Sequence, residues 1–408
     1  MSLLKERLIE HIRVDGPMPF EQFMAAALYD PEGGFFTSKS LRSAKSGDFL
    51  TSPEVSPLFG ETLARFVDQE LSTLPLTSSL RREGDQDVTS PGSARGGVSA
   101  ARAGTGGAAE RPFLIEVGAG SGSLLRPLLA ALACPVLAWA VEASPAARES
   151  LTQILRPDHV VPTLDDLPAC SVGVIIANEL LDNLPVALAV RTGDGWTERS
   201  VGVQDGALVL VPVEARPAVA AWAERFGLPA PERGLVEVQL AAGEWLQASL
   251  AMLDAGAVLL IDYGDTAENL EKRRVEGTLR TYRAHHLGPH PLDDPGETDI
   301  TVDVNFTALI SRAGELGASV EYHRQDEFLT GLGVRERLSD LRYEELALAR
   351  DGDPFKRLQV RSARTEAETL LHPRGLGDFR VLVCRKAGTN PGGKPSQKRD
   401  ENPVGRRS

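Results

Sequence analysis

The most constraining feature of this sequence is a glycine loop, Glu116-Val117-Gly118-Ala119-Gly120-Ser121-Gly122. An apolar run, Phe113-Leu114-Ile115-Glu116-Val117, precedes it, and a stretch with helical character from Ser123 to about Ala133 follows. Glycines there let the backbone turn tightly and approach a ligand where a Cβ would collide, so the segment reads as the first strand–turn–helix unit of an open α/β sheet. Further apolar runs at Val136 to Val141, Val172 to Ala177 and Ala257 to Ile261 are separated by helical stretches. Continuous Val/Ile/Leu runs of this kind predict parallel strands buried on both faces, hence a doubly wound α/β domain. Within it, Val201 to Val213 alternates around Asp205-Gly206, which predicts an inserted antiparallel hairpin.

The loop also narrows the ligand. Glu142 closes the next strand 20 residues beyond Gly122, where a carboxylate can accept hydrogen bonds from both hydroxyls of a ribose. A dinucleotide site usually reads G-x-G-x-x-G and faces a pyrophosphate. Here the spacing is G-x-G-x-G with Glu116 just before it, and a carboxylate repels phosphate but suits a cation. S-adenosylmethionine, with an ammonium, a sulfonium and no phosphate, therefore fits better than NAD. A third strand near Val160-Val161 leads to Asp165-Asp166, which can either reach the adenine amino group or cap a helix.

Ligands of open α/β sheets sit outside the carboxyl ends of the strands. The fourth strand ends in Asn178-Glu179-Leu180-Leu181-Asp182-Asn183-Leu184-Pro185, and the fifth in Asp262-Tyr263-Gly264. Glu179 and Asp182 are three residues apart, a spacing that places both carboxylates on one helical face, where they contact a substrate or cap the helix.

Charge and composition bound the rest. The 408 residues carry 44 Lys or Arg against 57 Asp or Glu, a net −13, which argues against a nucleic-acid binder held by a general basic field. Three dispersed cysteines argue against a disulfide framework or a clustered metal site. His285, His286 and His290 near Asp293 and Asp294 fit no strong zinc spacing, so no metal is expected. The richest apolar stretch, Pro127 to Val141, is interrupted by Pro135 and too short to span a bilayer. The opening MSLLKERLIEHIRVDG lacks an apolar core of secretory type and reads as an amphipathic helix with Leu4, Leu8 and Ile12 on one face, so the expected location is cytoplasmic.

Ser78 to Glu110 holds seven Gly, six Ala and five Ser among 33 residues, too little apolar surface to offset its chain entropy, and is expected to be disordered. Arg385 to Ser408, with seven Lys or Arg against two acids, reads as a solvated basic tail. The expected division is a helical cap over 1–77 containing a T-S-P-E loop, an insertion over 78–110, a catalytic domain over 111–385 and a tail over 386–408.

Several separate stretches together resemble the MidA-like family, which includes the mitochondrial complex I assembly factor of the methyltransferase type. They are Phe20-Glu21-Gln22-Phe23-Met24 with Ala27-Leu28-Tyr29, Gly47 to Val55 with Pro57-Leu58-Phe59-Gly60, the glycine loop, Ala177 to Pro185, and Gly277-Thr278-Leu279-Arg280 with Asp299-Ile300-Thr301. The resemblance runs from the first helix to about residue 385. It implies a Rossmann-like class I methyltransferase fold with a seven-stranded, mostly parallel sheet, and a cofactor loop at Gly118 to Gly122. The mitochondrial branch is regarded as symmetrically dimethylating an arginine of a respiratory-chain subunit. Two departures are Ala119, where the family often has Pro, and the long insertion. Neither touches the glycines.

A protonated guanidinium needs carboxylates to hold it and polarise one nitrogen. The carboxylates that can do so are Glu54, Glu179, Asp182 and Asp262, and the expected catalytic residues are Glu179, Asp182, Glu54 and Asn178. Cofactor binding is expected of Glu116, Gly118, Gly120, Gly122, Glu142, Asp165 and Asn178, and substrate binding of Asp48, Ser52, Asp262 and Tyr263. The leading expectation is a methyltransferase acting on an arginine of a protein. The alternatives are a small-molecule methyltransferase and a non-catalytic assembly factor that keeps the cofactor site.

Overall fold

Seven strands make the central sheet of the computed structural model, which describes residues 2–37, 52–74, 111–193, 195–227, 230–272, 277–283, 286–351 and 353–388. They are β1 (Phe113–Val117), β2 (Leu137–Val141), β3 (Val160–Val161), β4 (Val172–Asn178), β5 (Ala255–Asp262), β6 (Ser319–Arg324) and β7 (Arg380–Lys386). Their order across the sheet is β3-β2-β1-β4-β5-β7-β6, and β7 alone runs against its neighbours. The α/β fold class and the seven-stranded, mostly parallel sheet expected from the sequence are both present. The chain moves outward from β1 to β3 and then returns to β4 on the other side of β1. That reversal opens a crevice at the carboxyl ends of β1 and β4, the place where such sheets bind ligands.

Alternate residues of the strands feed two cores. On one face Leu114, Ile176, Leu259 and Val383 pack against Phe59, Leu63, Phe66 and Val67 of the helix Leu58–Thr73. On the other, Ile115, Ile175, Val258 and Leu260 meet Leu246 and Leu250 of the helix Leu240–Met252 and Leu309 of the helix Phe306–Glu315. All eight residues of β5 are buried, as its apolar run Ala255 to Ile261 requires, and Asp262 at its end is buried with them. The helix Leu58–Thr73, grouped with the N-terminal cap on sequence, is thus a layer of the central sheet.

A second sheet is inserted between β4 and β5. Gly195–Gln204 pairs with Ala207–Glu214 on one edge and with Met18–Pro19 and Ala187–Thr192 on the other, and Ala187–Thr192 pairs in turn with Leu235–Val238. The expected hairpin closes at Gln204 opposite Ala207, with Asp205 and Gly206 at φ 51° and 79°, the two left-handed residues a tight two-residue turn requires. The helices Leu3–Asp15 and Phe20–Tyr29 bury Leu4, Leu8, Ile12, Phe20 and Phe23 against Leu188, Val201 and Ile300 beside this sheet. The N-terminal segment is thereby brought to the carboxyl end of β4.

Two boundaries differ from the sequence reading. The helix after the glycine loop spans Leu125–Ala131 rather than starting at Ser123. Arg385 does not begin a tail: it lies in β7, and its guanidinium meets the Glu70 carboxylate at 2.7–2.9 Å. The rest of the expected tail beyond residue 388 and the insertion over 78–110 lie outside the described residues. Among the described residues no helix is long and apolar enough to cross a membrane.

Candidate active site

The glycine loop leaves β1 through three left-handed residues, Gly118, Gly120 and Gly122, at φ 73°, 52° and 79°. At Gly122 a Cβ would fall 2.3 Å from Ile154 Cδ1, so a side chain there would have to displace the tip of Ile154 as well as adopt the left-handed φ. The loop is tied to the end of β2: Gly118 donates to the Val141 carbonyl at 2.9 Å, and Gly120 donates to Glu142 Oε2 at 2.8 Å. The other oxygen of Glu142 accepts from Ser144 at 2.7 Å. Glu142 is therefore a structural strut of the loop as well as a lining residue.

A cavity of about 440 Å³ lies over this loop, bounded also by Glu116, Glu142, Asp165, Asn178 and Glu179. Glu116 is only 5% exposed, and its Oε2 has no hydrogen-bond partner among the described residues; the same holds for Oδ1 of Asn178. Burial first, then the charge of Glu142, holds the Glu116 carboxyl well above the usual carboxylate range. Buried acceptors without donors are costly unless a ligand supplies the donors. A cationic donor such as an α-ammonium is the group that both atoms fit.

The two readings of Asp165-Asp166 separate. Asp166 caps the short 3₁₀ turn Leu164–Asp166, with Oδ2 accepting from the Thr163 amide at 3.2 Å and its hydroxyl at 2.6 Å. Asp165 is left to line the cavity.

At the end of β4 the expected helix does not form. Glu179 is left-handed, at φ 52°, its amide donates to the Ile261 carbonyl at 2.8 Å, and only a 3₁₀ turn, Leu181–Asn183, follows. Glu179 and Asp182 therefore do not share a helical face. The Glu179 Oε1 accepts from the Ser52 amide at 3.0 Å and from Asn178 Nδ2 at 3.2 Å. Burial pushes its carboxyl up to about 8, and the charges of Asp182 and Glu54 add to the shift. A non-glycine residue in this conformation costs roughly 1–2 kcal/mol, so the surroundings must over-determine it.

Asp182 is buried behind Glu179, is not a lining residue, and accepts from the Tyr263 hydroxyl at 2.5 Å. Burial pushes it up to about 6. Asp262, expected at the substrate, is 1% exposed and accepts from the amides of Leu181, Asp182 and Tyr263 at 2.8–3.3 Å. It builds the turn that carries Asp182 and does not line the cavity. Tyr263 likewise supports Asp182 from outside the cavity lining. Ser52 is fully buried, with Gln325 Nε2 donating to its hydroxyl at 3.5 Å. Its neighbour Pro53 lines the cavity, whereas Glu54 acts on Glu179 through its charge. Asp48 and His285 lie outside the described residues. Among the described residues no group of three or more His, Cys, Asp or Glu is placed to hold a metal ion.

The stretch Gly277 to Arg280 supports the site at a distance. Buried Glu237 accepts from the amides of Thr278 and Leu279 at 2.5 and 3.1 Å. Arg280–Arg283 then pairs with Asp299–Thr301, and Asp299 accepts from Asn183 Nδ2 at 2.7 Å. Sequence reasoning assigned no role to Tyr29, Phe36 or Trp245, all of which line the cavity. Tyr29 carried a signal as part of a family stretch. Trp245, in the middle of a helix, carried none.

Residues 103–323 match the family described as "Putative S-adenosyl-L-methionine-dependent methyltransferase". Among curated proteins, the chain is 26% identical to the mitochondrial protein arginine methyltransferase NDUFAF7 of Xenopus tropicalis, over 83% of this chain and 77% of that one. It is 27% identical to the Homo sapiens protein of the same name, over 91% and 80%. Among solved structures, a Burkholderia thailandensis protein bound to S-adenosyl-homocysteine superposes with a TM-score of 0.74 at 28% identity, covering 95% of this chain and 92% of that one. The cytoplasmic location expected from the sequence is corrected by these relatives, which are named as mitochondrial proteins.

Proposed function

Because this chain belongs to the MidA-like family of S-adenosylmethionine-dependent methyltransferases, we propose that it methylates an arginine side chain of a protein substrate. The observation that carries this reading is the half-buried carboxylate of Glu179, held at the rim of the cofactor cavity with Asp182 and Glu54 close enough to raise its proton affinity. A guanidinium has only donors and one delocalised charge, so it suits a cluster of acceptors in low dielectric. The arginine methyltransferases among the relatives agree with that chemistry.

The cofactor supplies a methyl group on a sulfonium, whose departure as a neutral thioether makes it a good leaving group. Glu116 and Asn178 would hold its ammonium, Glu142 its ribose hydroxyls and Asp165 its adenine amino group. Glu179 accepts two N–H groups of the arginine and fixes the plane of the guanidinium, so that one nitrogen faces the methyl carbon. Methylation of that nitrogen would release one N–H proton, and the site must supply a group to take it. Glu179, with a raised proton affinity, is placed to take it and pass it to water. The protein's main contribution is alignment of the reactants away from solvent.

Glu116→Gln tests the cofactor half separately. Losing a charge-assisted hydrogen bond of about 1.5–3 kcal/mol weakens S-adenosylmethionine binding roughly 10- to 100-fold by calorimetry. The ligand-free protein keeps its Tm, because a carboxyl whose burial already favours the neutral form is replaced by a neutral amide of the same shape. An unchanged affinity would remove Glu116 from the site.

The acceptor is tested by transfer of labelled methyl from S-adenosylmethionine into a cell extract, followed by mass spectrometry. Methylarginine in a small set of proteins is the expected result. Label confined to small molecules, or to other side chains, would overturn the arginine reading.

A further inference from the structure

Two aromatic rings from the N-terminal segment reach the same cavity as Glu179. Tyr29 ends the helix Phe20–Tyr29, and Phe36 follows seven residues later. Their rings stack with centroids 5.6 Å apart and planes 26° from parallel. Each is fixed independently of any ligand. The Tyr29 hydroxyl donates to the Asn183 carbonyl at 3.2 Å, the Phe36 amide donates to the Leu28 carbonyl at 2.9 Å, and Phe35, fully buried, packs edge-on against Phe36 at 5.1 Å.

Among the described residues the cavity lining contains four acids, Glu116, Glu142, Asp165 and Glu179, and no Lys, Arg or His. The first three answer the ammonium, ribose and adenine of the cofactor. Glu179, the aromatic pair and Pro53 line the same cavity and are not claimed by those three groups. A carboxylate and a fixed aromatic wall in one cavity can distinguish two kinds of cation. A guanidinium is planar and weakly hydrated, so it can lie on a ring while its edge bonds a carboxylate; an ammonium is compact, tetrahedral and strongly hydrated.

We propose that Tyr29 and Phe36 form the specificity-determining wall of the acceptor subsite and select a guanidinium over an ammonium. This rests on the arginine reading above, and its test is independent of turnover. The full-length protein is saturated with S-adenosylhomocysteine, and binding of ethylguanidinium and of propylammonium is measured by NMR titration. Wild-type protein binds ethylguanidinium about tenfold or more tightly than propylammonium. Phe36→Leu cuts that ratio to about threefold or less and leaves S-adenosylhomocysteine affinity unchanged, while Tyr29→Phe, which keeps the ring, preserves the ratio.

Equal binding of the two probes to wild-type protein, or no binding of either, overturns the proposal without requiring any variant to fold. A parallel loss of S-adenosylhomocysteine affinity in Phe36→Leu also overturns it, by assigning the ring to the cofactor. Arginine methylation in the extract without probe selectivity sinks the wall alone. Probe selectivity with methylation of some other group sinks the arginine reading and leaves the wall standing.

Discussion

Glu179→Gln lowers kcat/KM for methyl transfer by about 10²- to 10³-fold and leaves S-adenosylmethionine affinity within about threefold, a loss typical of removing one preorganised electrostatic group from an active site. Gln keeps the length of the side chain and one carbonyl oxygen, so the bonds from the Ser52 amide and Asn178 survive. What disappears is the charge that holds a guanidinium and the site that takes its proton. The pH profile gives the sign. With the Glu179 carboxyl pushed up to about 8, the free enzyme is mostly protonated there at neutral pH. The ionised form binds the arginine, so kcat/KM rises with pH and levels off near that value. In Glu179→Gln the remaining activity loses this rise. A variant that binds cofactor poorly but turns over normally at saturation would move Glu179 from the acceptor to the cofactor.

Gly120→Val has the opposite signature. Gly120 is left-handed, at φ 52°, lines the cavity, and donates its amide to Glu142. A β-branched residue in that conformation costs at least about 1–2 kcal/mol, and the loop can relieve it only by giving up the bond to Glu142. Strain, the lost strut and the added methyl groups all fall on cofactor binding. The expected result is a loss of about 100-fold or more in affinity for S-adenosylhomocysteine by calorimetry, with far-ultraviolet circular dichroism unchanged. Since the buried strands do not depend on the loop's open side, the fold persists. Unaltered affinity in a folded Gly120→Val protein would mean that the ligand does not touch this loop.

The glycine loop and the acid after the next strand were legible because their signals are local. Glycines at 118, 120 and 122, a strand before them and an acid closing the next strand all follow from short-range backbone requirements, and the hairpin at Asp205-Gly206 was readable for the same reason. The turn after β4 was less legible. Asn178 to Pro185 has the composition of a helix start, yet Glu179 is turned left-handed by contacts to Ser52 and Ile261, far away in sequence. Asp262 looked like a site residue because it ends a strand, but three nearby amides claim its oxygens. Tyr29 and Trp245 reach the cavity from elements whose placement depends on tertiary packing, which no local pattern encodes.

The layer contributed by Leu58–Thr73 has a consequence for how the chain can be divided. Phe59, Leu63, Phe66 and Val67 cover one face of a sheet whose first strand begins only at Phe113. A polypeptide started at residue 111 would keep every glycine of the loop and still expose that face to water. A peptide-bond break anywhere between residues 75 and 110 would instead leave two pieces with complementary apolar surfaces, each the missing half of the other's interior. The two halves would elute together from a sizing column as a noncovalent pair. The catalytic unit therefore includes residues on both sides of that break.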